Sequence, residues 1–267
     1  MTLELIELKA KSGVKKKTPL LFVHGSFCSA PIWRYRFMPY FSDCGHDCYA
    51  VSLSGHGRSG SEWSLHLYSL NDYVDNLIEA IEKIGEPPIL VGHSLGGMVV
   101  QKYIESHDCA GAILMNSLPP SGAFTSIVHM MTHSPELYWT LNQAMMFSTD
   151  LVSFDALKRM LVTDDTHPAS LAEVHGLFQP ESMRALNDVT YFDIPRKRAK
   201  EGFPIKVIGG DADVMIPVTA LKETATFHGA DLTIIKGGPH ALMLDKCWKD
   251  VAEVLRGWIE GKSAGFA

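Results

Sequence analysis

Long hydrophobic runs are missing from this chain of 267 residues. No stretch approaches the ~18 consecutive apolar residues needed to span a bilayer, so no membrane span is expected. The segment from Met1 to Lys9 alternates apolar and polar residues and carries acids, so it reads as a β-strand and not as a secretory signal. Cysteine is scarce. Cys28, Cys44, Cys48, Cys109 and Cys247 are odd in number and irregularly spaced. That excludes a disulfide framework and suits reduced thiols in a cytoplasmic protein. Cys44 and Cys48 flank His46, but no second ligand pair follows at zinc-finger spacing, and no metal site is expected. Positive charge is also short. Lys and Arg number 24 against 30 Asp and Glu, a net charge of −6. A nucleic-acid binder would usually present a basic face, so nucleic acid is not an expected partner. With 46% hydrophobic and 9% aromatic residues, the chain is not disordered. Repeats and low-complexity segments are lacking as well.

What is present is an alternation of short apolar runs and helical periodicities. Residues 2–9 read as a first strand, and Lys15-Lys16-Lys17 with Pro19 as a turn. Leu20-Leu21-Phe22-Val23 is continuously apolar, as in a buried parallel strand. A helix is expected over about 31–41, opened by Pro31, then a strand over 48–53. Leu70, Tyr73, Val74, Leu77, Ile78, Ile81 and Ile84 recur at helical spacing; Asn71 or Asp72 is the expected cap, and Pro87-Pro88 the stop. Strands follow at 89–91, 110–115, 205–209 and 231–235, with helices through about Ser106, from about Val218 and over about 246–260. This pattern predicts an α/β fold: a mostly parallel, doubly wound sheet with helices on both faces. Across 121–200 the alternation lapses into helical segments rich in methionine. At about 150 residues per domain the length allows between one and two domains. The expected division is a core made of 1–120 and 201–267, with 121–200 inserted as a helical cap. Arg196-Lys197-Arg198 near its end reads as a solvated face.

Gly92-His93-Ser94-Leu95-Gly96 fits G-x-S-x-G between a buried strand and a helix. A nucleophile on such a turn has a strained backbone, and the flanking positions are too crowded for side chains. Gly92 and Gly96 meet that need, and Gly97 lets the helix pack closely on the sheet. A serine that only caps the helix is the plain alternative. His93 diverges from its neighbour on such a turn and is read as packing or as a support behind the site, not as the base. An oxyanion needs two donors. The Leu95 N–H is one. The other is expected from the loop His24-Gly25-Ser26-Phe27, with Ser26 preferred and Phe27 as the fallback; His24 itself is read as structural.

A serine nucleophile needs a histidine to take its proton and a carboxylate to orient that histidine. Of twelve histidines, His240 in Gly237-Gly238-Pro239-His240 directly follows the last strand, at the sheet edge where ligands bind. Gly210-Asp211-Ala212-Asp213 ends another strand at that edge. Asp213, deeper in the loop, is the expected acid, and Asp211 the expected turn cap. After strand 110–115 the sequence reads Asn116-Ser117, with no carboxylate.

Together these motifs resemble the α/β-hydrolase superfamily: His24-Gly25, Gly55-His56-Gly57-Arg58-Ser59, the turn at Ser94, Gly210-Asp211-Ala212-Asp213 and His240. The resemblance implies esterase- or lipase-like serine hydrolysis with a variable cap over 121–200. It also brings in non-hydrolytic chemistries of the fold. Dehalogenases and epoxide hydrolases use an aspartate nucleophile, whereas Ser94 stands here. Hydroxynitrile lyases typically carry lysine after the catalytic histidine, whereas Ala241 stands here. Gly55-His56-Gly57-Arg58-Ser59 is widespread in the superfamily and is given no chemical role.

The expected protein is a carboxylesterase-type serine hydrolase, with catalytic Ser94, Asp213 and His240 and no cofactor. Phe27, Met130, Met145 and Phe147 are the expected pocket. The substrate is a small to medium apolar acyl or aryl ester. A hydroxynitrile lyase, a cofactor-free peroxidase, a non-catalytic ligand receptor and a homodimer remain open on the sequence.

Overall fold

A computed structural model describes residues 2–13, 16–60, 64–163 and 175–261. Met1, Lys15 of the expected turn and 164–174 of the expected cap lie outside the described residues. In chain order the strands are β1 (Leu5–Leu8), β2 (Lys17–Val23), β3 (His46–Val51), β4 (Ile89–His93), β5 (Gly111–Met115), β6 (Ile205–Gly210) and β7 (Asp231–Ile235). The helices are α1 (Phe37–Asp43), α2 (Leu70–Ile84), α3 (Leu95–Tyr103), α4 (Phe124–His133), α5 (Pro135–Met146), α6 (Phe154–Leu161), α7 (Met183–Asn187), α8 (Val218–His228) and α9 (Trp248–Ile259).

The apolar runs become the central strands because both faces of the sheet are covered. Among the described residues the sheet has seven strands in the order β1-β3-β2-β4-β5-β6-β7. Only β1 runs antiparallel, against β3; the other pairs are parallel. Along β2, Leu21 and Val23 face a core shared with α2, α3 and α8. Leu20 and Phe22 face the opposite core with α1 and α9, where the Phe22 and Trp33 rings lie 5.0 Å apart. Alternation along one strand thus places helices on both sides.

Local chemistry adjusts several expected boundaries. The helix expected over 31–41 is two pieces. A 3₁₀ turn, Ala30–Arg34, carries Pro31 as its second residue, and α1 starts only after Arg36, whose φ of −140° is not helical. Ser69, not Asn71 or Asp72, caps α2: its hydroxyl accepts the Asp72 N–H while the Asp72 carboxylate accepts the Ser69 N–H. This reciprocal box satisfies two otherwise orphaned donors. Gly85, left-handed at φ 78°, ends the helix before Pro87 is reached.

Parallel strands deliver their C-terminal ends to one edge. The loops after β2, β4, β5, β6 and β7 therefore gather there, carrying Ser26, Ser94, Asn116, Asp213 and His240. Between β5 and β6 the chain leaves the sheet to form α4 to α7. These helices hold a small core of their own that includes Met130, Leu137, Val152, Leu157 and Met160. Arg196, Lys197 and Arg198 are exposed.

Candidate active site

Ser94 joins β4 to α3 with φ 54° and ψ −119°. A side chain bearing Cβ is strained there by roughly 1–3 kcal/mol. Ser94 N–H donates to Met115 O at 3.1 Å, and Ser94 O accepts from Gly97 N–H at 3.0 Å, so the surrounding backbone holds the turn. The flanking glycines have no room to be anything else. A Cβ on Gly92 would lie 2.5 Å from Gly96 O and 2.7 Å from Gly97 Cα. One on Gly96 would meet the backbone of Val23 and His24, and one on Gly25 would lie 2.9 Å from Ser94 Cβ. The loop after β2 therefore passes directly against the turn.

That loop is held from two sides. Buried His24 accepts the Leu53 N–H on Nε2 at 3.0 Å, so its Nδ1–H faces Gly25 O at 2.8 Å. Burial pushes His24 down to about 3, so it stays neutral. Phe27, at φ 62°, accepts the Gln179 N–H at 3.0 Å and stacks on Phe178 with ring centres 5.3 Å apart. Among the described residues no backbone carbonyl takes the N–H of Ser26, Phe27 or Leu95.

Buried His240 directs Nδ1 to Asp213 Oδ2 at 2.7 Å. The other Asp213 oxygen accepts the N–H groups of Met215 at 2.7 Å and Ile216 at 3.0 Å. A carboxylate receiving three donors is held in one orientation. Asp211 instead accepts the Gly237 N–H at 2.6 Å, joining the loop after β6 to the end of β7. Ser94 and His240 border one cavity, with Gly25, Ser26 and Phe27 beside them.

The cavity measures about 400 Å³, within the usual range for small-molecule sites. Phe27, Met130 and Met145 line it, joined by Tyr138, Leu157, Met160, Phe178, Met183 and Ile216. Phe147 does not line it; the residue is 73% exposed. It is the capping residue just past the end of α5, with a non-helical φ of −124°, where the chain leaves the helix toward solvent. Asn142 lies in the wall, but its amide bonds Tyr138 O at 2.8 Å, and Thr190 bonds Leu186 O at 2.6 Å. The wall is thus chiefly apolar.

Two residues were not legible as contributors. Asn116 donates Nδ2–H to His240 O at 2.7 Å and Pro239 O at 2.9 Å, and accepts Gly210 N–H at 2.9 Å. The signal was an asparagine closing a strand, since Asn tolerates the positive φ of 40° found there. Glu181 is wholly buried and lies 3.4 Å from His56 Nε2. Its Oε1 also accepts Tyr73 OH and Ser182 N–H, each at 2.7 Å. His56 of the Gly55–Ser59 motif is therefore part of a buried charge site that joins the segment before α7 to the sheet layer. No nearby sequence feature pointed to Glu181.

Among the described residues no group of three or more His, Cys, Asp or Glu side chains is arranged to hold a metal ion. All five cysteines are free thiols. No described helix is long and apolar enough to cross a membrane.

A mostly parallel sheet with a strained serine turn after its central strand, and an aspartate and histidine on neighbouring loops, defines a class of α/β proteins that gather such side chains at one sheet edge. The chain belongs to the alpha/beta hydrolase family, whose model matches residues 20–254. It is 21% identical over 261 residues to a non-heme chloroperoxidase of Kitasatospora aureofaciens, covering 89% of this chain and 92% of that one. It is 25% identical over 227 residues to a monoacylglycerol lipase of Mycolicibacterium smegmatis, covering 82% and 80%. Among solved structures, a thermophilic esterase from Thermogutta terrifontis superposes with a TM-score of 0.74 at 16% identity, covering 97% and 93%.

Proposed function

We propose that the protein is a carboxylesterase-type serine hydrolase acting on small to medium apolar acyl or aryl esters. The observation that carries this reading is the 2.7 Å Asp213–His240 bond at the edge of a cavity that Ser94 also borders. Asp213 fixes the tautomer with Nδ1 protonated, which leaves Nε2 as the basic nitrogen. In the acylation step Ser94 Oγ attacks the ester carbonyl carbon and its proton passes to His240 Nε2. The N–H groups of Leu95 and Ser26 receive the oxyanion, each contributing about 3 kcal/mol by analogy with other oxyanion donors. Collapse expels the alcohol, which takes the proton from His240. Water then attacks the acyl-enzyme with His240 as base, releasing the acid and restoring Ser94. No metal or organic cofactor takes part.

The helices over 121–200 act as a cap that shapes the acyl or aryl site. The apolar wall supports an uncharged substrate body, and the two unbranched side chains Met130 and Met145 let the site adapt to its shape. Free thiols suit a reducing compartment such as the cytoplasm.

The similarity to a chloroperoxidase over 89% of the chain keeps one second reading, a cofactor-free peroxidase on the same residues. One experiment separates the two. Wild type and Ser94→Ala are assayed with p-nitrophenyl esters of increasing chain length and, in parallel, for acetate-dependent halogenation. Saturable ester turnover lost in Ser94→Ala, with negligible halogenation, supports the esterase. The reverse pattern supports the peroxidase.

A further inference from the structure

The main-chain carbonyl of His240 receives two side-chain donors, and neither comes from the two loops that carry Asp213 and His240. His93 Nε2 lies 3.0 Å from this oxygen and Asn116 Nδ2 lies 2.7 Å from it. A carbonyl can only accept, so His93 holds its proton on Nε2. Burial, reinforced by nearby His240, keeps His93 well below the ordinary histidine range, so the ring stays neutral and the donor is fixed. Both residues are buried.

The two donors come from informative places. His93 is the last residue of β4 and is bonded covalently to Ser94. Its contact with His240 O therefore ties the histidine's backbone to the nucleophile's own turn. Asn116 closes β5, and its amide reaches both neighbouring loops. Nδ2 bonds Pro239 O as well as His240 O, while Oδ1 accepts Gly210 N–H at the start of the loop that carries Asp213. One carboxamide thus sits at the junction of three segments: the end of β5, the approach to Asp213 and the approach to His240.

We propose that His93 and Asn116 are positioning residues, a two-donor clamp on the His240 carbonyl that sets the imidazole between Ser94 and Asp213. This rests on the esterase reading for its kinetic consequence but not for its structural one. The clamp acts through His240 and touches no reacting atom. Loss of either donor lets the loop after β7 shift, and a displacement near 1 Å can cost on the order of 10²-fold in rate. Because both donors serve one oxygen, their losses should not multiply.

The test uses four single variants of the full chain and the double variant His93→Leu with Asn116→Asp. His93→Leu fills similar volume without a donor, and His93→Gln keeps an N–H near the Nε2 position. Asn116→Ala removes the amide, and Asn116→Asp keeps its shape but loses its N–H groups. Each is checked for folding by thermal denaturation. The primary readout is the far-downfield proton NMR resonance of His240 Nδ1–H, which reports the Asp213 bond whatever reaction the enzyme catalyses. The clamp predicts that this signal is weakened or lost in folded His93→Leu and Asn116→Asp, and retained in His93→Gln. It further predicts kcat reduced about 10- to 100-fold with KM within about threefold, partial rescue in His93→Gln, and a double variant less impaired than the product of the singles. An unchanged resonance in folded His93→Leu and Asn116→Asp overturns the clamp. If wild type hydrolyses no ester, the esterase reading fails, and the resonance alone still decides the clamp.

Discussion

Asp213 Oδ2 and His240 Nδ1 lie 2.7 Å apart although 27 residues separate them in sequence. They meet because β6 and β7 are parallel neighbours, so the loops that follow them leave the same edge side by side. The other Asp213 oxygen is anchored by two backbone N–H groups, so the carboxylate is fixed before any substrate arrives. Asp213→Asn should lower kcat by about 10⁴-fold through loss of the correct tautomer. Asp211→Asn, which alters only the bond to Gly237 N–H, should cost far less. Steady-state ester kinetics on both folded variants check this; a larger loss at position 211 would reverse the assignment.

The turn at Ser94 makes a prediction about backbone space. The atoms nearest to a methyl group on Gly92 are main-chain atoms of Gly96 and Gly97, and these cannot rotate away as a side chain could. Gly92→Ala should open the turn, lower the melting temperature and reduce kcat by 10²-fold or more. Calorimetry and kinetics on the purified variant test it; near-normal values in both would mean that the turn is looser than its contacts imply.

Much of this was legible because it followed short-range rules. Leu20–Val23 had to be a buried strand, and Gly92–Gly97 had to be a sharp turn because small residues surround the serine. His240 stood out among twelve histidines by its address after the last strand. The illegible parts depend on contacts between distant segments. Glu181 finds His56 and Tyr73 across 108 residues or more, and no local pattern marks it. Asn116 looked like the absence of a carboxylate, yet its amide joins two loops far along the chain. Phe147 was misplaced for a simpler reason: composition cannot say on which side of a helix terminus an aromatic ring falls.

The Glu181–His56 pair carries a pH signature. Burial alone would raise the Glu181 carboxyl, but His56, Tyr73 and Ser182 outweigh it and hold the group below its ordinary 4.5. Burial alone would lower His56, but Glu181, joined by the backbone of Ser54 and Pro180, outweighs it and raises the ring above 6.5. The histidine's contribution is full below 6.5 and lost as pH rises through its raised value. The carboxylate's is present above 4.5 and lost as pH falls through its lowered value. The pair therefore stabilises most between those limits. Glu181→Gln should cost on the order of 3–5 kcal/mol near pH 5.5 and less near pH 8.5. Denaturant unfolding at both pH values measures the difference, and a larger loss at the higher pH would contradict the assigned signs.

The cavity wall predicts a change in chain-length preference. Met160 is buried and borders the cavity, whereas Phe147 is exposed. Met160→Ala should cost about 2–5 kcal/mol of stability and move the optimum toward longer acyl chains. Phe147→Ala should leave both stability and preference nearly unchanged, within about 0.5 kcal/mol. Profiles of kcat/KM across a p-nitrophenyl ester series distinguish the two. A shifted optimum in Phe147→Ala, with none in Met160→Ala, would place the substrate elsewhere.

The most direct test of the whole account is the turnover of Ser94→Ala on the best ester found for wild type, with thermal denaturation confirming that the variant is folded. If Ser94 is the nucleophile, kcat falls by about 10⁴- to 10⁶-fold. Turnover within a few-fold of wild type in a folded Ser94→Ala would contradict the mechanism outright.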